Sequence, residues 1–155
     1  MLSTFVIMKK KNTIASGLWI SLICTLAAAP VKSYAQSTAE LHAGYEQYWK
    51  EDLEYLKNIR KEKDNHLAAL EVTKMKEDML PKLQKQLEAT NRWKKSHTAA
   101  EIDEEKAWAL DNPLQKEVAE LQTNLLIGSS TRGGELAAAF GNYMKAMSQV
   151  IKKTK

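Results

Sequence analysis

The sequence predicts an all-α protein, either a helical bundle or a set of elongated helical hairpins, with five to six helices that follow a cleaved signal peptide. From residue 38 onward, apolar residues recur at the spacings of three and four that place them on one helix face. Residues that cap helices stand ahead of several of these stretches. No segment shows the alternation of apolar and polar residues that is typical of a strand.

The clearest helices are the last two, which we expect to fold back on one another as a hairpin. Pro113 suits the first turn of a helix, because its missing N–H would have no partner there. We expect Gly128–Gly134 to form a loop that cannot hold a helix. The two apolar stripes consist of Leu114, Val118, Leu121 and Leu125, and of Leu136, Phe140, Tyr143, Met147 and Val150.

The middle of the chain contains two ambiguous points. Arg60–His66 is wholly polar and is either a turn or an exposed part of one long helix; the good helix formers in it slightly favour continuity. Pro81 predicts a kink or a fresh helix start. Thr98 and Glu101 have the spacing of a capping box. The predicted helices lie near 38–63, 65–80, 81–95, 98–111, 113–127 and 135–152, in a single domain over 36–155.

Residues 1–35 have the pattern of a secretory signal peptide. Three lysines at 9–11 precede the apolar run 14–29, and small residues favour cleavage between Ala35 and Gln36. We therefore expect an exported protein, periplasmic or secreted, in a bacterial envelope. An uncleaved anchor is the alternative, and lipidation of Cys24 is disfavoured because Cys24 lies inside the apolar run.

The charge of the mature chain limits its partners. Residues 1–35 hold four lysines and no acid, so 23 − 4 = 19 basic residues remain against 19 acidic ones. A net charge of zero argues against nucleic acid as a partner and against strong membrane binding after signal cleavage. Cys24 is the only cysteine, so cleavage also removes any means of forming a disulfide or a thiolate site.

No pattern of residues predicts chemistry. His42–Glu46, Glu62–His66 and His97–Glu101 each have the spacing of one helix face, but a metal site needs three or four converging ligands. The Gly128–Gly134 loop precedes a helix, yet it lacks the Gly-Lys-Ser/Thr ending of a nucleotide-binding loop. We therefore predict no catalytic, cofactor-binding or metal-binding residues.

Five residues are predicted to contact a partner. Tyr48, Tyr55 and Trp93 are expected to be exposed aromatic residues, Arg92 belongs to a small basic patch, and Arg132 lies in the predicted loop. We expect the partner to be another protein or a second copy of the chain.

The sequence-based hypothesis is an exported, non-enzymatic helical protein that works by binding proteins. An accessory component of a secretion or conjugation machine, an inhibitor or an immunity protein would fit this class. One alternative is a periplasmic holdase chaperone, in which Met75, Met79, Met144 and Met147 offer an adaptable apolar surface. Another is a bundle that binds a small ligand or a metal in its core.

Overall fold

The structure, a computed structural model, describes residues 36–154 and confirms the all-α class for that part of the chain. It contains five helices and no strand in these residues. The predicted signal peptide and the cleavage point between Ala35 and Gln36 fall on or next to residues outside the described range. The helices are α1 (Thr38–Lys61), α2 (Asn65–Lys94), α3 (Ala99–Asp111), α4 (Pro113–Arg132) and α5 (Gly134–Lys153).

Side chains cap the amino ends of the first four helices. Ser37 and Glu40 form a capping box at the start of α1, and the predicted capping box of Thr98 and Glu101 begins α3. Asn112 accepts a hydrogen bond from the Leu114 amide and so caps α4. Each cap satisfies backbone N–H groups that have no partner inside the helix.

The polar stretch Arg60–His66 is a helix break. The slight preference for continuity was wrong: α1 ends at Lys61 and α2 begins at Asn65. Asp64 accepts hydrogen bonds from the backbone amides of His66 and Leu67, which stabilises the new helix start.

The predicted fresh helix start at Pro81 is wrong, because α2 is one helix of 30 residues. The alternative, a kink at Pro81, stays a prediction. A proline in a helix interior removes a backbone hydrogen bond and crowds the preceding turn, which costs about 3 kcal/mol or more. Met79 and Leu83, on either side of it, are both buried on the same core-facing stripe. Burying the two halves of α2 together therefore outweighs the local cost of the proline.

Helix α4 continues for five residues past its predicted end at 127, so the expected loop at Gly128–Gly134 shrinks to Gly133. The hydroxyls of Ser129, Ser130 and Thr131 each donate to the backbone carbonyl three residues earlier, which accommodates these residues in a helix. Gly133 breaks the helix with a φ of 149°, a conformation that side-chain-bearing residues rarely adopt.

The four long helices form a closed ring. Helix α1 packs against α2 and α4, and α5 packs against the same two helices. His66 contacts Glu135 near the starts of α2 and α5, and Asn91 contacts the Thr154 carbonyl near their ends, so these two helices run in the same direction. The α1–α2 hairpin and the α4–α5 hairpin thus turn at the same end of the bundle.

The ring encloses one main hydrophobic core. Each long helix contributes the stripe that faces its neighbours, as amphipathic helices in a bundle do. A smaller cluster of Leu41, Ala89 and Trp93 lies toward the opposite end of the α1–α2 hairpin from its turn. The buried residues of the main core are Tyr48, Trp49, Leu53, Leu56, Ile59, Ala68, Val72, Met75, Met79, Leu83, Val118, Leu121, Leu125, Leu136, Phe140 and Tyr143.

Arg132 joins the two hairpin turns. Its guanidinium group donates to the backbone carbonyls of Ile59 and Glu62 at the end of α1, and to the side chain of Asn65 at the start of α2. Asn65 donates in return to the Arg132 carbonyl. The carbonyls at a helix end lack partners within the helix, so Arg132 satisfies them from the neighbouring hairpin.

Replacing Arg132 by alanine is expected to lower the free energy of unfolding by about 1.5–3 kcal/mol, because hydrogen bonds from a charged donor are lost. Urea unfolding followed by circular dichroism measures this change. Arg132→Lys should restore little of the loss, since one ammonium group cannot reproduce the planar fork. Arg60→Ala, at an exposed position of α1, is the control and should change stability by less than about 0.5 kcal/mol. Equal losses of stability in Arg60→Ala and Arg132→Ala would contradict the role of Arg132 in joining the two hairpin turns.

Candidate functional site

A polar cluster lies inside the core at the level where α1, α4 and α5 meet. Asp52 and Tyr48 come from α1, Gln122 from α4 and Tyr143 from α5. Asp52 and Tyr143 have no exposed surface, and Tyr48 is 8% exposed. Gln122 Nε2 donates to Asp52 Oδ2 over 3.0 Å. Asp52, Gln122 and Tyr143 were not among the site residues predicted from the sequence.

Two polar atoms of this cluster have no hydrogen-bond partner among the described residues. They are Asp52 Oδ1 and the Tyr143 hydroxyl. The Tyr143 hydroxyl lies beside the Asp52 carboxyl group and the Tyr48 hydroxyl, but in hydrogen-bonding geometry with neither. Buried polar atoms without partners are costly and uncommon, so this cluster is the least settled part of the core.

Burial perturbs the ionisation of this cluster. It raises the pKa of Asp52 from 3.8 to about 6, although the hydrogen bond from Gln122 and the neighbouring Tyr143 hydroxyl oppose the change. Burial likewise raises the pKa values of Tyr48 and Tyr143, and the nearby Asp52 adds to the effect for both tyrosines. Both tyrosines therefore keep their protons near neutral pH, and only the carboxyl group titrates there.

A second cluster anchors α3 to α1. His42 Nε2 lies 2.6 Å from Glu105 Oε2, and Glu105 is buried with its Oε1 unpaired among the described residues. The imidazole stacks on the indole of Trp108 with 3.5 Å between ring centres. Glu105 is the one residue of α3 that is buried, so α3 depends on this polar and aromatic contact more than on an apolar stripe.

The three histidines contact groups other than the carboxylates four residues away in sequence. His42 pairs with Glu105 instead of Glu46, and His66 contacts Glu135 on α5 instead of Glu62. His97 stacks on the Trp93 ring at the end of α2. Within residues 36–154, histidine, aspartate and glutamate side chains form no group of three that could hold a metal ion.

Three of the five predicted partner contacts are placed differently from expectation. Tyr48 and Trp93 were expected to be exposed, but both are buried, at 8% and 1% exposure. Trp93 packs with Leu41, and its indole N–H donates to the Thr38 hydroxyl over 3.2 Å. Arg132 is half-buried between the two hairpin turns, where it donates hydrogen bonds to backbone carbonyls of the neighbouring hairpin.

The two remaining contacts, Tyr55 and Arg92, reach the surface. The half-buried Tyr55 donates its hydroxyl to Asp78 across α1 and α2, and this hydrogen bond raises the pKa of Tyr55 to about 12. Arg92 is exposed near the end of α2. A contact role for these two residues stays a prediction.

Arg92 lines a groove between the last turns of α2 and α5. The groove has a volume of about 480 Å³. It carries three cationic side chains, Arg92, Lys95 and Lys153, and one carboxylate, Glu88. None of the three cations forms an ion pair within residues 36–154. We call this surface the basic groove.

The large apolar residues left exposed do not make a comparable surface. Two pairs, Leu67 with Leu70 and Leu126 with Ile127, lie on α2 and α4, and the single residues Leu110 and Ile151 lie on α3 and α5. Helices α2 and α4 are on opposite sides of the ring, so the two pairs are not contiguous. Met75 and Met79 are fully buried, so the adaptable methionine surface expected for a chaperone is not available at those positions.

Comparison with known proteins adds no functional information: no protein family, no curated protein and no solved structure matches this chain.

Within residues 36–154, no helix combines the length and the apolarity that a membrane crossing requires.

The anchoring of α3 can be tested at His42. His42→Ala leaves the buried Glu105 carboxylate without a partner, which should cost about 1–3 kcal/mol and loosen α3. Hydrogen exchange of the amides in Ala99–Asp111 should accelerate accordingly. His66→Ala is the matched control: its pair with Glu135 is well exposed, at 64% and 58%, and an exposed ion pair contributes at most about 1 kcal/mol. If both variants exchange alike in α3, the anchor does not exist.

Proposed function

We propose that this protein is exported and binds another protein, without catalysis, through the basic groove. The observation that carries the proposal is the set of three cations, Arg92, Lys95 and Lys153, that share one groove and have no partner within the described residues. The signal-peptide pattern of residues 1–35 supports export.

An acidic segment of a protein is the partner that this groove favours. A carboxylate-bearing chain gives the three cations the charge-assisted hydrogen bonds that they lack within the bundle. The half-buried Val150, which also lines the groove, supplies apolar contact area. Opposite charges across such an interface mainly set association rate and specificity, which suits a protein that recognises one partner.

The non-enzymatic part of the proposal rests on the placement of the ionisable groups. Asp52 and Glu105, the buried carboxyl groups, face the interior and do not line the three grooves described between the helices. The basic groove contains one carboxylate, Glu88, and one hydroxyl, Thr154, but no histidine or cysteine lines the groove with them. Binding is thus a better fit to its side chains than reaction chemistry.

Charge reversal in the groove tests the proposal. The double variant Arg92→Glu, Lys95→Glu should lose a partner that copurifies in stoichiometric amount from envelope extract with the natural protein. The partner's affinity for the natural protein should also fall steeply with added salt, because opposite charges are screened.

The control makes the same change of charge on α2 but outside the groove. Lys74→Glu, Lys85→Glu should retain the partner. The absence of any stoichiometric partner of the natural protein would refute the proposal. So would equal retention by the two double variants.

A further inference from the structure

The core of the bundle contains one ionisable group that neither the fold nor the basic groove explains. Asp52 lies on the apolar stripe of α1, has no exposed surface, and is held by a single hydrogen bond from Gln122. An apolar residue or an asparagine of similar size would fill the same space without burying a charge. A buried ion that lacks a counter-charge is strongly destabilising, so its protonation state matters to the whole core.

The groups that face Asp52 carry no compensating charge. Helix α4 contributes Gln122, α5 contributes Tyr143, and α1 itself contributes Tyr48. From α2, the buried residues near this level are Met79 and Leu83, which have no charge. Lys82 of the same helix is paired with Glu51 in an exposed contact between α1 and α2.

The buried hydroxyl of Tyr143 does not supply a counter-charge. It lies close to the Asp52 carboxyl group, and both this hydroxyl and Asp52 Oδ1 are buried without a hydrogen-bond partner among the described residues. A neutral hydroxyl can donate to a carboxylate or accept from a protonated carboxyl group, so it does not require either protonation state. The uncompensated burial of the charge is therefore what favours the protonated form.

We propose that Asp52 is a proton-binding site in the core, and that uptake of one proton from solvent there stabilises the packing of α1 against α4 and α5 by removing an uncompensated buried charge. With the proton bound, Asp52 is neutral and keeps the hydrogen bond from Gln122 of α4. Without it, a carboxylate charge remains in an apolar interior with one hydrogen bond. This device is independent of the proposed partner groove and would operate in a free or a bound chain.

The sign of the pH effect follows from the direction of the pKa change. Because the pKa of Asp52 is about 6 in the bundle and 3.8 in the unfolded chain, the folded state keeps its proton over a range in which the unfolded state has lost it. Stability therefore falls as pH rises between these two values and then levels off. A carboxylate in an ion pair has the opposite pH dependence, because protonation in acid removes its charge and destabilises the protein.

The experiment compares the protein with its Asp52→Asn variant over the range from about pH 4 to about pH 7. The variant has nearly the same shape and no titration, so the difference in unfolding equilibrium between the two isolates Asp52 from the other carboxylates. We expect the unfolding equilibrium constant of the natural protein, divided by that of Asp52→Asn, to rise about a hundredfold as the pH rises across this range. Asp103→Asn, on the exposed face of α3, is the control and should show no such trend.

A second measurement does not need a variant that folds. The carbon-13 shift of the Asp52 carboxyl group reports its titration directly in the natural protein. A midpoint near pH 6 supports the proposal, with a simultaneous change in the Tyr143 ring signals, because the charge beside that ring changes. A midpoint at the ordinary value for aspartate, about 4, overturns it. A relative stability of Asp52→Asn that does not change with pH overturns it as well.

Discussion

Each long helix of this protein has one apolar stripe, and no stripe can leave water unless the other helices cover it. The α1–α2 hairpin buries part of its apolar surface within itself, but Ala68 and Val72 of α2 need further neighbours in the core, which includes Leu136 and Phe140 of α5. Isolated helical hairpins are marginal in water because ordering the chain costs about as much as the burial returns. The two hairpins are thus stable only together, and the hydrogen bonds of Arg132 join them where their turns meet.

This dependence explains why polar residues inside the ring matter so much. The core has little tolerance for an unpaired group, because a low local dielectric strengthens satisfied hydrogen bonds and penalises missing ones. The pair of His42 and Glu105 satisfies most of its groups and fixes α3, the short helix that links α2 to α4. The cluster around Asp52 is satisfied only in part. We expect this partly satisfied cluster to respond to a change of pH before the rest of the core does.

The helices could be predicted from the sequence because their apolar periodicity and caps are strong local signals, as with Thr98 and Glu101. The errors have different causes. Tertiary packing carries α2 through Pro81. Local hydrogen bonds from hydroxyl groups accommodate α4 beyond Gly128, and the Asp64 cap starts α2 at a break where a continuous helix was slightly favoured. Tyr48 and Trp93 were placed on the surface because burial depends on which helices become neighbours, and sequence spacing does not reveal that. Asp52 had a detectable signal. Tyr45, Trp49, Asp52, Leu56 and Ile59 repeat at four, three, four and three, which places Asp52 on the core stripe.

Native-state hydrogen exchange tests the mutual dependence of the two hairpins most directly. If one core holds all four long helices, the slowest amides of α1, α2, α4 and α5 exchange through the same global opening and report one common free energy, while those of α3 open more easily. A much lower opening free energy throughout α4 and α5 than in α1 and α2 would contradict this. The α1–α2 hairpin would then be stable without its partner, and the ring would not be the unit that folds.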